Sequence, residues 1–105
     1  MLDKFNYKEA LSAENFKALT LAQLQNDLDR AQCGYTIGNI DFISELAVLL
    51  ENLSTEKRAQ LLYLIDLPET NPSLISSGDL FLDLAEQIIH REALKVHLRN
   101  LFSSQ

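Results

Sequence analysis

"LLYLI", residues 61–65, is apolar from end to end and fits either a short buried strand or one flank of a buried helix. Periodicity cannot separate the two in so short a run. The rest of the chain does, because no other segment offers a β-partner, so a helix is predicted here. Just upstream, Ser54 is a good cap and Glu56 places a carboxylate in the first turn, where it complements the helix dipole. The helix therefore spans "STEKRAQLLYLID", and Pro68 ends it by forcing Leu67 out of helical geometry.

The segment before it, "IDFISELAVLLENL" (40–53), is the clearest amphipathic helix of the chain. Phe42, Ile43, Leu46, Leu49, Leu50 and Leu53 line one side, and Asp41, Ser44, Glu45 and Asn52 the other. Asn39 is the expected cap. "GYTIGN", with two glycines and an asparagine, is the connection that precedes it. Further back, "TLAQ" has the form of a capping box between Thr20 and Gln23, so a helix is expected to start there, with Gly34 as its stop. Leu21, Leu24, Leu28 and Ala31 face inward in that reading, while Gln23, Asp27 and Arg30 face outward. A separate short helix, "SAENFKAL", capped by Ser12 and anchored by Phe16 and Leu19, meets it at a corner at Thr20. After Pro68, "PETNPSLISSG" carries turn chemistry, with a single helical turn expected from Pro72 to Ile75 and the final helix opening at Ser77 or Gly78.

These elements predict an all-α protein: one small bundle of four to five helices with short connections, forming a single domain over residues 1–105. The length suits one domain, and 47% hydrophobic residues suffice for one core.

The final segment, 79–102, is less regular. Asp79, Asp83 and Glu86 lie near its start and Arg91, Lys95 and Arg99 near its end, a distribution that complements the helix dipole without any ligand. Phe81, Leu84, Ala85 and Ile88 form one apolar stripe. Leu94, Leu98, Leu101 and Phe102 form a second, turned about a third of a turn away at roughly 100° per residue. A straight helix with one apolar face does not accommodate both. Either the segment bends near residues 90–92, or its second half projects and offers its leucines to another chain, and the latter is preferred.

Function is read mostly from what is missing. Nine Lys and Arg against fifteen Asp and Glu leave a net charge of −6, which opposes nucleic acid and anionic membranes. No window is long and apolar enough to span a membrane, and the first residues do not form a secretory signal, so a cytoplasmic location is expected. Cys33 is the only cysteine, which excludes an internal disulfide and a cysteine-based zinc site; it reads as a small apolar residue at a helix end. There is no nucleophile paired with a base and no phosphate-binding glycine loop, so an enzyme is not expected. His90 and His97 flank the second leucine stripe. Their spacing does not match a zinc site and Glu86 is the only carboxylate at useful distance, so no metal or other cofactor is expected. Imidazoles beside a leucine seam would instead favour dissociation of an interface on protonation.

The expected function is a non-enzymatic interaction or regulatory module of the adaptor, antitoxin, immunity-protein or chaperone kind. Its contacts with a protein partner or a second copy would come from Leu94, Leu98, Leu101 and Phe102, with Arg91, Lys95, Arg99, His90 and His97 around them. The alternative is a divergent helix-turn-helix regulator built on "LTLAQLQNDLDRAQCGYTIGNIDFISELAVLL". The part that would enter the groove, "YTIGNIDFIS", contains no Lys or Arg.

Overall fold

The computed structural model describes residues 6–38, 40–67 and 79–103, with the side chains of 102 and 103 left aside. The described residues contain helices and no strand: α1 (Tyr7–Ala10), α2 (Glu14–Arg30), α3 (Phe42–Asn52), α4 (Thr55–Ile65) and α5 (Leu80–Ser103). The all-α bundle is as expected. α3 opens at Phe42 with Asp41 in the cap position, two residues later than the cap expected at Asn39. The helical turn expected within 68–78 lies outside the described residues.

The ambiguous run 61–65 is helical. Leu61 and Ile65, one turn apart, are fully buried, while Tyr63 between them is 84% exposed, a pattern that a strand's alternation would not give. Ser54 caps the helix as expected, its hydroxyl accepting from Lys57 N at 3.1 Å. The helix ends before Pro68 is reached. Asp66 adopts a left-handed backbone (φ 65°), and Leu67 N returns to the Leu62 carbonyl at 3.1 Å, which closes the turn.

The corner expected at Thr20 does not exist. α2 is continuous through it, and Thr20 is fully buried with its hydroxyl donating to the Phe16 carbonyl at 2.9 Å. A threonine can cap or bond back to the preceding turn; burial of this face selects the second option. The stop of α2 is Gln32, not Gly34. Gln32 is left-handed (φ 57°), its N–H donates to Asp29 O at 3.0 Å and Cys33 N–H to Leu28 O at 3.0 Å, the paired bonds of a Schellman turn. A side chain in that conformation carries strain that glycine avoids. Gln32→Gly is therefore expected to stabilise the protein by about 0.5–1 kcal/mol after allowing for the freer unfolded chain. The readout is a raised urea midpoint at unchanged slope.

α5 is the hub: it packs against each of the other four described helices. It runs antiparallel to α2, since Lys95 reaches Asp27 and Arg99 reaches Gln23. α3 runs parallel to α2, with Phe42 under Lys17 (5.4 Å) at one end and, just past its other end, Lys57 donating to the Ala31 carbonyl at 2.9 Å. The chain makes this possible by returning along α2 before α3 begins. Gln25 holds the returning segment, donating to Tyr35 O and accepting from Ile37 N, each at 2.9 Å. Glu45 accepts from the Tyr35 hydroxyl at 3.0 Å and from Gly38 N at 3.3 Å. A Cβ at Gly38 would stand 2.7 Å from Glu45 Oε2, so the absence of a side chain permits this approach. Arg58 ties α3 to α4 by donating to the Leu50 and Leu53 carbonyls at 2.9 and 3.0 Å, and its guanidinium covers the Phe81 ring of α5 at 4.9 Å.

The core is the meeting of Leu24, Leu28 and Ala31 of α2, Leu46, Leu49 and Leu50 of α3, Leu61 and Ile65 of α4, and Leu84, Ala85, Ile88 and Ile89 of α5. Among the described residues no helix is long and apolar enough to cross a membrane.

Candidate functional site

α5 is a single helix from Leu80 to Ser103, opened by Asp79, whose Oδ1 accepts from Phe81 N and Leu82 N at 3.1 Å each. Neither a restart nor a break separates its two halves. The buried row along it is Asp83, Leu84, Ala85, Ile88, Ile89, Glu92, Ala93 and Val96. The inner stripe thus continues past Ile88 through 92, 93 and 96. The carboxylate of Glu92 in the middle of the row hid the continuation.

At roughly 100° per residue Leu94 lies about half a turn from Ala85, so the second leucine row is on the outer side of the hub helix. Leu94 is half-buried and lines an open cleft of about 240 Å³ with Leu67, Gln87, His90 and Arg91. Leu98 is half-buried and Leu101 is 47% exposed. The Phe102 side chain lies outside the described part. His90 is exposed, and the Tyr7 ring of α1 stacks on it with centroids 4.8 Å apart. Burial and the nearby Glu86 charge push the Tyr7 hydroxyl up from its usual pKa. His97 is half-buried.

The three cations of this helix each reach another element. Arg91 bonds Asp66 at the end of α4 at 2.9 Å, and Arg99 bonds the Gln23 side chain of α2. Lys95 turns into the seam with α2, 3.1 Å from Asp27 Oδ2 and 2.9 Å from Glu92 Oε1. The placement of Asp27 corrects the sequence reading. Expected on the outer side of α2, it is fully buried.

Asp27 and Glu92 form a carboxyl pair between α2 and α5 for which Lys95 is the buried-side cation. Arg30 touches Asp27 from outside, at 3.4 Å and with a half-exposed side chain. Burial alone would raise Asp27, but hydrogen bonds from Glu92, Lys95 and Gln23 together with the Lys95 charge outweigh it, and Asp27 is held below the usual carboxylate range. For Glu92 burial dominates, reinforced by Asp27, and its carboxyl is pushed up to about 8. Lys95 Nζ lies 2.9 Å from its Oε1, and with Glu92 ionised no donor stands between the two carboxylates. A proton on Glu92, donated toward Asp27, removes that deficit.

Two signals for this pair are present in the sequence. Glu92 is four residues from both Ile88 and Val96, inside an otherwise apolar row, and Asp27 adjoins Leu28 and follows Leu24 by three. A charge inside a buried row must be paired, and the pairing becomes visible only when α2 and α5 are laid side by side.

Among the described residues no three His, Cys, Asp or Glu side chains gather as a metal site. Cys33 is half-buried just beyond α2, and burial raises its thiol pKa against the opposing charge of Lys57. Comparison of the chain with protein-family models, curated proteins and solved structures finds no match.

Proposed function

We propose that this protein is a non-enzymatic interaction module of the adaptor, antitoxin, immunity-protein or chaperone kind, working in the cytoplasm. It meets a protein partner or a second copy of itself through the outer face of α5. The observation that supports this is the second leucine row: Leu94, Leu98 and Leu101 stand half a turn from the core row on the same helix, and Leu101 remains 47% exposed. A half-exposed row at this spacing is the kind of surface that a partner buries, and His90 and Arg91 beside the cleft form its polar edge.

The helix-turn-helix alternative draws less support. α2 and α3 are joined by residues 31–41 rather than a tight turn, and the exposed side chains of α3 are Ser44, Val48, Glu51 and Asn52, without a cation to meet phosphate.

The test is Leu94→Ser with Leu101→Ser in the full chain. The variant is expected to remain folded and to lose at least tenfold in affinity for the partner isolated with the native protein, or in self-association by sedimentation, equivalent to about 1.4 kcal/mol. A folded variant that keeps every native complex at unchanged affinity would remove the assignment.

A further inference from the structure

We propose that the α2–α5 seam is a proton-linked latch: at neutral pH the closed seam holds one proton between Asp27 and Glu92, and detachment of the C-terminal half of α5 from α2 releases that proton to water. The inference is independent of what binds the outer face of α5.

The geometry sets up an imbalance of charge. Two carboxyls, both fully buried, face one lysine whose Nζ lies 3.1 Å from one and 2.9 Å from the other. Among the described residues the other lysines and arginines are committed elsewhere or reach the seam from solvent. On α2, Arg30 approaches Asp27 from the surface and Gln23 is polar but uncharged. On α5, Arg99 is turned to Gln23 and Arg91 to Asp66. The buried residues of α3 are Leu46, Leu49 and Leu50, and its Glu45 holds Tyr35 and Gly38. On α4, Lys57 and Arg58 serve backbone carbonyls. On α1, Tyr7 stacks on His90. With both carboxyls ionised the buried cluster carries an excess negative charge, and one lysine is shared between two carboxylates that have no donor between them. With one proton present, the cluster is neutral overall and Glu92 becomes a donor to Asp27, the state that two close carboxyls adopt when they cannot both ionise.

Linkage gives the direction. Glu92 is held at about 8 in the closed seam against an ordinary value of 4.5, so between those values the closed form binds more protons than the open one. Opening therefore becomes easier as pH rises through this interval and levels off above it. One proton of difference corresponds to roughly a tenfold change in the opening constant per pH unit. Asp27 acts in the opposite sense, its contribution being lost only as acid protonates it.

The experiment has two measurements on the full chain. Carbon-13 NMR of the side-chain carboxyls follows the titration of Glu92, identified by its disappearance in Glu92→Gln. A midpoint near 8 is expected. Hydrogen exchange of the amides of residues 92–99, corrected for the base catalysis of free peptides, reports opening. Protection in the native protein is expected to fall by up to about tenfold per unit between pH 5 and 8, and Glu92→Gln should lose most of that slope. Should Glu92→Gln fail to fold, the resonance is assigned in the native protein through its bonded carbons and the titration decides alone. A Glu92 midpoint in the ordinary carboxylate range, or identical exchange slopes in the two proteins, would overturn the latch.

Discussion

Replacing Lys95 with methionine is expected to destabilise the protein by about 3–5 kcal/mol at neutral pH, the cost of leaving a buried charge without its partner. Lys95 is the cation that both Asp27 and Glu92 share, and its side chain is 21% exposed, so solvent screens it little. Methionine keeps most of the aliphatic stem and removes the ammonium, which isolates the charge effect from packing. The cation that remains for Asp27 is Arg30, half-exposed and at 3.4 Å. The loss has a pH signature. Asp27 is held below its usual pKa in the native protein, partly by Lys95, so that stabilisation exists above the unfolded value and disappears as pH falls through the folded one. The gap between native and Lys95→Met, measured by urea unfolding, should accordingly narrow from pH 7 to pH 3. Adding Asp27→Asn to Lys95→Met at pH 7 should recover much of the loss. A Lys95→Met protein of native stability, or one whose deficit does not change with pH, would contradict the seam as described.

Ile88→Ala is expected to cost about 2–5 kcal/mol, as large-to-small changes in a closed core do, whereas Leu101→Ala, thirteen residues on in the same helix, should stay within about 0.5 kcal/mol. Both are aliphatic and both sit in α5. Ile88 is fully buried against the other helices, and Leu101 is 47% exposed on the outer side. Urea unfolding of the two variants at one protein concentration measures the difference. Low concentration matters, because association through the outer row would lend Leu101 an apparent stability that dilution removes. Comparable losses for the two alanines in the dilute monomer would place the leucine row in the core and remove its availability to a partner.

The sequence signals that worked were local. The amphipathic pattern of 40–53, the Ser54 cap and the absence of a β-partner for 61–65 each concern neighbours along the chain, and a helix formed in each place, α3 opening at Phe42. The failures came where a residue has two local uses and a distant neighbour chooses between them. Thr20 can cap or bond back, and burial of α2 against the bundle chose the back-bond to Phe16. Gln32 took the left-handed stop that Gly34 was expected to provide. Asp27 and Glu92 look like solvated charges until Lys95 is brought between them across 68 positions of sequence. That pairing also explains the misread stripe of α5, since deleting one carboxylate from the pattern restores a continuous inner row from Leu84 to Val96.

The parallel course of α2 and α3, obtained by sending the chain back along α2, has a kinetic consequence. Those two helices make few contacts with each other, and the surface that joins them to the rest is supplied by α5, whose bonds to α2 span separations of 68 and 76 positions. Loops of that size must close before the greater share of burial is gained, so this bundle should collapse more slowly than one whose successive helices pack as hairpins. During synthesis, α2 to α4 emerge with their oily sides uncovered and wait for residues 80–103, an interval in which a chaperone or an early-bound ligand would have the most to shelter.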